Sequence, residues 1–461
     1  MVLMLERAIG WHRWYAVRSY LRSTLWLMPL TALVLEQIAI RLVSSLERYC
    51  NWIPEPAATA SAATGVMDTV VTLTMSFIVF TFGSLLVALQ VASGQLTPRI
   101  IATTLLQDNV IRFTVGLFVF TLLFAVGARA RVETDVPHLA ITLAVLLGIA
   151  SVTAFLYLID HTARLLRPVS IVWRIGEQGI KVIESVYPGL IRRPHVPTPE
   201  RARPEPFVRT VEHRGKSAIV LAVNLAALVE VARNSGSVIE FTHRVGDFVA
   251  TGDSLFRLYG DTTTIDDRLL RAQVAFGPER TIEQDSIFAF RVIVDIAVKA
   301  LSKAINDPTT AVLAIDQLHR LLRLVGARHL HDDTLLDPEG RLRLIFPTPN
   351  WDDFVQLTCR EIRLYGAENF QVARRLRAMI DGLIAVLPEA RHAALRLELD
   401  LLDRTLRKIH ELPEDYALAR EPDLQGLGGA STVPTSPDND ASVDLDSEAN
   451  EAAAGITVGS K

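Results

Sequence analysis

The sequence predicts an α-helical membrane protein with four transmembrane helices, followed by a cytoplasmic α+β region made of a small β module and a helical domain. Three observations predict it. Four apolar stretches fall within the first 161 residues, β-branched runs punctuated by turn signals fill 207–260, and helical periodicity resumes from 263 to about 411. Composition agrees: of 461 residues, 50% are apolar and only 21% charged, and the mean hydropathy is +0.28, a balance suited to a chain partly immersed in lipid. The expected divisions are a transmembrane domain over 1–165, a connector over 166–206, a barrel-sandwich-like β module over 207–262, a helical domain over 263–420 and a disordered acidic tail over 421–461.

The four spans run roughly Thr24–Leu46, Val66–Ala92, Val110–Ala128 and Pro137–Ile159, each near the 20 or so residues a bilayer requires. The first is too long for a cleavable signal and lacks a small-residue cleavage site. Its leader carries Trp11, Trp14, Tyr15, Tyr20 and Trp26, read as an interfacial aromatic belt. Orientation follows from the basic residues. Arg7, Arg13, Arg18, Arg22, Arg99, Arg112, Arg164, Arg167, Arg174 and Lys181 flank one side, and only Arg48, Arg129 and Arg131 the other. Ten against three puts both termini in the cytoplasm of a bacterial cell, with the chain in the inner membrane.

Beyond the fourth span, Ile171, Val172, Ile175, Val182, Ile183 and Val186 form one apolar stripe on an amphipathic helix. It suits either the membrane surface or the soluble domain. Six prolines between Pro188 and Pro206 then forbid helix. Strands are expected at Phe207–Glu212, Ala218–Val223, Val238–Thr242 and Leu255–Tyr259, with a short helix capped by Asn224 and closed by Asn234. In the helical domain, Thr281-Ile282-Glu283-Gln284 reads as a capping box opening Ile282–Ala304. Asp307-Pro308 is an N-cap with proline at the first helical position, opening Thr309–Val325. Helices near Trp351–Leu387, with Gly366 and Gly382 as potential breaks, and Glu389–His410 complete it.

Charge excludes some functions. Residues 1–167 carry a net +3, the tail from 421 a net −7, and the body between them is neutral. Nucleic-acid binding is therefore disfavoured. Cys50 and Cys359 are the only cysteines, too few for a disulfide framework or a Cys₄ zinc site.

Five segments carry a recognisable signature. They are Gly277-Pro278-Glu279-Arg280-Thr281-Ile282-Glu283-Gln284-Asp285, Val294-Asp295-Ile296-Ala297, Ala300-Leu301-Ser302-Lys303-Ala304-Ile305-Asn306-Asp307-Pro308-Thr309-Thr310-Ala311, Val87 to Arg99, and Val245-Gly246-Asp247-Phe248-Val249 with Gly252 downstream. Together they resemble a widespread bacterial family of predicted membrane proteins classed as a domain of unknown function, over about residues 20–410. Lys303 departs from that pattern, standing where the family's run has proline. The resemblance implies the topology and a cytoplasmic domain; it supplies no activity.

Candidate chemistry is sparse. Along the second span Asp68, Thr69, Thr72, Ser76, Gly83, Gln90 and Gly94 fall within about 100° of the helix circumference. Such a face either lines a pathway for an ion or solute or lets helices pack closely. Glu36 and Arg41 are intramembrane charges five residues apart, poorly placed to pair on one helix, so each needs a partner elsewhere or an escape to the interface. Arg280, Thr281, Asp285, Asn306, Asp307 and Pro308 are signature positions that helix capping also explains. His329, His331, Asp332 and Asp333 have metal-ligand types without a companion cluster, so no metal is expected. The β module resembles lipoyl or biotinyl carriers in its Gly246-Asp247 and Gly252-Asp253 turns, but Lys216 is its only lysine and sits outside them. With no P-loop, dinucleotide, HExxH or GxSxG motif in context, the sequence makes no case for an enzyme or a cofactor. An oligomeric channel or transport-like protein with a cytoplasmic regulatory domain is the leading expectation. A membrane-anchored scaffold or regulatory protein, with a cytoplasmic protein partner, is the alternative; a membrane enzyme has least support.

Overall fold

A computed structural model describes residues 11–12, 15, 27–49, 60–95, 108–132, 138–165, 167–191, 207–330 and 333–429. Four helices are long and apolar enough to cross a membrane: α1 (Leu27–Tyr49), α2 (Ala60–Gln95), α3 (Asn109–Val132) and α4 (His138–Leu165). The length of each apolar stretch locates all four, and the helices run past the expected C-terminal ends because helical backbone continues into polar flanks.

The third is the central one. It packs against the other three, and 44% of its apolar stretch is buried against 17–22% for the others. Glycines set the approach. Gly116 lies under Met28 and Gly127 under Glu36 where α1 crosses α3, and Gly148 of α4 meets Val70 of α2. Without hydrophobic gain between helices in lipid, such close backbone contact is what holds a bundle together. Phe77 of α2 stacks on Phe155 of α4 at 4.3 Å.

Helix α5 (Pro168–Val186) follows at once. Its apolar stripe is buried against the helical domain, with Gly179 closed over by Ala289 and Leu321. Of its two expected settings, the protein core is the one observed. The apolar core runs without a break from Ile111, Phe118 and Leu158 in the bundle through Ile175 to Ile293 and Leu318.

The β region is larger than the expected 207–262. Strands β1 (Phe207–Glu212), β2 (Ala218–Val223), β3 (Val238–Phe241), β4 (Phe248–Val249) and β5 (Ser254–Tyr259) are joined by β6 (Val274–Gly277), β7 (Thr334–Leu336) and β8 (Leu342–Ile345). They form a five-stranded sheet, β1-β5-β3-β8-β7, and a three-stranded sheet, β4-β2-β6. All pairings between these strands are antiparallel except β3 with β8, where Ile239 faces Leu344. Thus β8 crosses over from beyond the first two helices of the domain to pair with the module. A boundary at 262 cannot stand, because Val274, Leu344 and Phe346 lie in the module's own core. The added strands are only three or four residues long, too short to show a period.

Helix α6 (Leu225–Ser235) begins at Asn224, whose side chain accepts from the Ala227 N–H as expected, and ends at Gly236 rather than Asn234. Gly236 has φ +72°, the left-handed geometry that glycine adopts at least cost. After the short α7 (Asp267–Arg271) come α8 (Ser286–Ala300), α9 (Pro308–Gly326), α10 (Trp351–Gly366), α11 (Phe370–Val386), α12 (His392–Ile409) and α13 (Pro413–Ala419). The expected helix over Trp351–Leu387 is two, divided after Gly366 with Asn369 capping the second; Gly382 breaks nothing.

The tail begins later than 421. Arg374, fully buried, donates to the carbonyls of Glu421, Gly428 and Gly429, while Asp423 accepts from the N–H groups of Gln425, Gly426 and Gly428. Residues 421–429 are thereby strapped to α11, and 430–461 lie outside the described residues.

Candidate functional site

Along α2 the expected face is present, and its direction is the informative part. Asp68, Thr69, Thr72, Ser76, Gly83 and Gln90 are all exposed, whereas Ala63, Met67, Val70, Thr74 and Thr81 are buried. The two sets lie on roughly opposite sides of the helix. The small and polar face therefore points away from the bundle formed by the four described helices, and among the described residues only Asp68, at its start, reaches another helix. Thr69 and Ser76 each satisfy their hydroxyl on a carbonyl four residues back, both at 2.8 Å, and an added Cβ at Gly83 would meet nothing within 4 Å. Asp68 pairs with Arg129 of α3. Gly94 belongs to the last helical turn, residues 91–95, whose surroundings lie outside the described set.

Glu36 and Arg41 go separate ways. Glu36 is buried against α3, accepts from the Gln37 amide at 2.8 Å, and its Oε1 lies 3.1 Å from the point where a Cβ on Gly127 would stand. Arg41 is exposed.

A polar junction not expected from the sequence joins bundle and domain. Asp108 caps α3 through the Val110 and Ile111 N–H groups, lies 3.0 Å from His161 Nε2 at the end of α4, and accepts from Arg174 of α5 at 3.3 and 3.4 Å. Three elements thus converge on one buried carboxylate. Asp108 immediately ahead of an apolar span was the available signal, as an N-cap. Nothing in sequence spacing links it to residues 53 and 66 positions away.

The signature residues assemble in part. Asp285, not Thr281, is the N-cap of α8: its carboxylate accepts from the Phe288 N–H at 3.1 Å. The expected capping box fails because residues 281–285 are non-helical, and the buried Thr281 hydroxyl has no hydrogen-bond partner among the described residues. Arg280 closes on Asp285 at 2.8 Å, and both sit over Gly246 in the turn between β3 and β4. Two segments of the signature therefore meet in space. Burial pushes the Asp285 carboxyl above its ordinary range despite Arg280, which opposes that shift. Asn306, Asp307 and Pro308 lie elsewhere, at the start of α9, where Asp307 accepts from the Thr310 N–H at 3.0 Å. Asn306 holds φ +48°.

Two hollows flank the Arg280–Asp285 pair. On one side a groove of about 590 Å³ is bordered by Arg244, Arg291 and Arg360 among others. Each of these faces a carboxylate: Arg244 meets Asp353 at 3.2 Å, Arg291 meets Glu361 at 2.8 Å and Arg360 meets Glu398 at 3.2 Å. With its arginines matched in this way, the groove does not make an anion site. On the other side lies a cavity of about 390 Å³ between the β module and the helical domain. Trp11 reaches that cavity, and Tyr15 is buried on Leu221, Ala222 and Ala275 of the smaller sheet. These two aromatics do not form a membrane belt; Trp14, Tyr20 and Trp26 lie outside the described residues. Tyr187, just past the end of α5, is buried in the same lining, and burial pushes its phenol up to about 12.

The metal-like residues separate. His329 pairs its backbone N–H with the Gly189 carbonyl at 2.9 Å. Asp333 accepts from the backbone and hydroxyl of Thr348, both at 2.7 Å. His331 and Asp332 lie outside the described residues, among which no cluster of three or more metal-ligand side chains occurs.

Four apolar helices joined through one core to a sheet-containing extramembrane domain define a multi-pass membrane protein. Residues 22–382 match the family described as "Predicted membrane protein (DUF2254)", and the chain belongs to that family. Similar proteins include an uncharacterized protein of Mycobacterium bovis (Mb1321c) and two of Mycobacterium tuberculosis (Rv1290c and MT1328). Each is 25% identical over 429 residues, covering 87% of this chain and 80% of the relative. No solved structure matches.

Proposed function

We propose that the chain self-associates in the membrane through the outward face of α2, and that the assembled faces line a pathway for an ion or small solute regulated by the extramembrane domain. The observation that carries this reading is the opposition of the polar and buried faces of α2. Facing acyl chains, the Gln90 amide would lack hydrogen-bonding partners and Gly83 would lack a packing partner. A second copy supplies both, since small residues allow close approach and polar groups in bilayers turn toward protein or water. The reading assigns no catalytic step and no cofactor. It puts both termini on the cytoplasmic side of a bacterial inner membrane, supported by the ten-to-three basic count and by the contact of Trp11 and Tyr15 with the domain that follows α4.

A second reading is a membrane-anchored regulatory or scaffold protein without transport. The charge-matched groove, bordered by exposed Leu364, favours it as a protein-binding surface.

Single cysteines at Thr72 and Ser76, in a background lacking Cys50 and Cys359, test the proposal. Oxidation should cross-link copies at these positions but not at Ile78 or Leu85, which pack toward the bundle. A small charged thiol reagent should label Thr72→Cys and Ser76→Cys if the face is wet, because the thiolate does not form in apolar surroundings. Block of ion flux by that labelling would support a conduit. Cross-linking without labelling would leave a dry oligomer and the second reading; silence in both assays would end self-association through α2.

A further inference from the structure

The 390 Å³ cavity has a chemistry that can be read from what its polar groups already spend on the fold. Its walls are largely aromatic and aliphatic, with Trp11, Tyr187, Phe241 and Phe346 among them. Two amides and one imidazole stand in this lining. The Asn224 side-chain oxygen accepts from the Ala227 N–H at 3.2 Å, and the Gln284 oxygen from the Val223 N–H at 3.1 Å. Each amide then presents its NH₂ group as a donor. His243 Nε2 lies 3.0 Å from the Ser254 carbonyl. A carbonyl only accepts, so Nε2 carries the proton and Nδ1 of the neutral ring is an acceptor.

Charge narrows the ligand further. Among the described residues Asp285 is the sole carboxylate of the lining, and Arg280 already meets it at 2.8 Å. No described lysine or arginine lines the cavity. A phosphate would find no cation and an ammonium no unshared carboxylate, and burying an unmatched charge is costly. Size sets the last limit, since about 390 Å³ is near the lower end of the roughly 300–1,000 Å³ typical of ligand sites.

We propose that this cavity binds an uncharged, planar nitrogen heterocycle of nucleobase to nucleoside size. The ring stacks among the aromatic walls, and its edge is read by the Asn224 and Gln284 amide donors and the His243 acceptor. The walls add a consequence. Trp11 precedes the first membrane helix, and Ser185, Val186 and Tyr187 lie at and just past the end of α5, the helix that follows the fourth. A bound ring therefore touches the segments leading to both ends of the bundle. This inference does not depend on self-association through α2.

The test uses the full chain in lipid nanodiscs, with adenosine, guanosine and uridine as uncharged probes and adenosine 5′-monophosphate as the charged one, in equilibrium dialysis. Asn224→Asp and Gln284→Glu keep the accepting oxygen each fold contact needs while removing the donor. At least one nucleoside should bind, each variant should weaken it tenfold or more with an unchanged melting temperature, and the monophosphate should bind at least tenfold more weakly than its nucleoside. No binding by any nucleoside overturns the proposal. So does binding that both variants leave untouched, or a monophosphate bound as tightly. Binding seen only after deletion of residues 1–10 would assign the cavity to the chain's own leader and equally overturn it.

Discussion

Arg280 and Asp285 meet at 2.8 Å directly over Gly246, so that an ion pair from the helical domain seals a turn of the β module. The relationship explains two features at once. Gly246 must be glycine, with φ +95° and no room for a Cβ between the two charged groups. Asp285 must be short and anionic or hydrogen-bonding, because the same carboxylate caps α8.

Gly246→Ala should therefore lose about 1–3 kcal/mol, combining left-handed backbone strain with displacement of the pair. Gly252→Ala is the control. It has φ +94° but open space around it, so it should lose only the backbone part. Chemical denaturation of the two variants in detergent measures the difference, and equal losses would show that the ion pair moves aside freely.

Asp307 holds the start of α9 by accepting from the Thr310 backbone and hydroxyl, with Pro308 at the first helical position. Asp307→Ala should cost about 0.5–2 kcal/mol and Asp307→Ser much less, since serine also caps. If Asp307→Ser proved as damaging as alanine, more than capping would be at work there.

Tyr187 supplies a pH dependence. Burial raises its phenol from 10.0 to about 12. The folded chain thus keeps its proton where the unfolded chain would lose it. Stability from this group is complete below pH 10 and falls as pH rises toward 12. Tyr187→Phe should lose that alkaline slope, and an ultraviolet titration should show one phenol fewer ionising late.

How much of this was legible depended on the length scale of each signal. The spans were readable from the length of their apolar runs, and α5, α6 and α9 because apolar periodicity and caps act within a few residues, as Asn224 and Asp307 show. What sequence spacing could not supply was pairing at a distance. Strand β8 joins β3 across more than 100 residues of chain, Asp108 meets Arg174 across 66, and residues 421–429 find Arg374 from far along the chain. Thr281 misled because a capping box needs only local letters, whereas 281–285 are non-helical and the cap is Asp285, which Arg280 also meets, so that the helix starts at Ser286. The α2 face was legible as a stripe. Its outward direction was not, because periodicity gives the angle between faces and not which one meets the bundle.

The two charges of α1 give the last prediction. By spacing alone Glu36 and Arg41 are equivalent concerns, since a charge at mid-membrane costs about 2.5–3.5 kcal/mol on insertion scales. Burial separates them. Glu36 is enclosed against α3, held by the Gln37 amide and pressed on Gly127, while Arg41 is exposed and its long stem allows its charge to reach the interface. Arg41→Gln should leave the melting temperature in nanodiscs nearly unchanged. Gly127→Val should lower it strongly, because a Cβ alone would stand 3.1 Å from the Glu36 oxygen and 3.6 Å from Ile40, and valine adds two methyl groups to that contact. Pairing Gly127→Val with Glu36→Ala gives the decisive measurement. If the clash with Glu36 is the cause, the double variant should recover part of the loss, and the two single effects should be clearly non-additive. Strict additivity would mean that α1 and α3 are held apart at Gly127 by something other than this carboxylate.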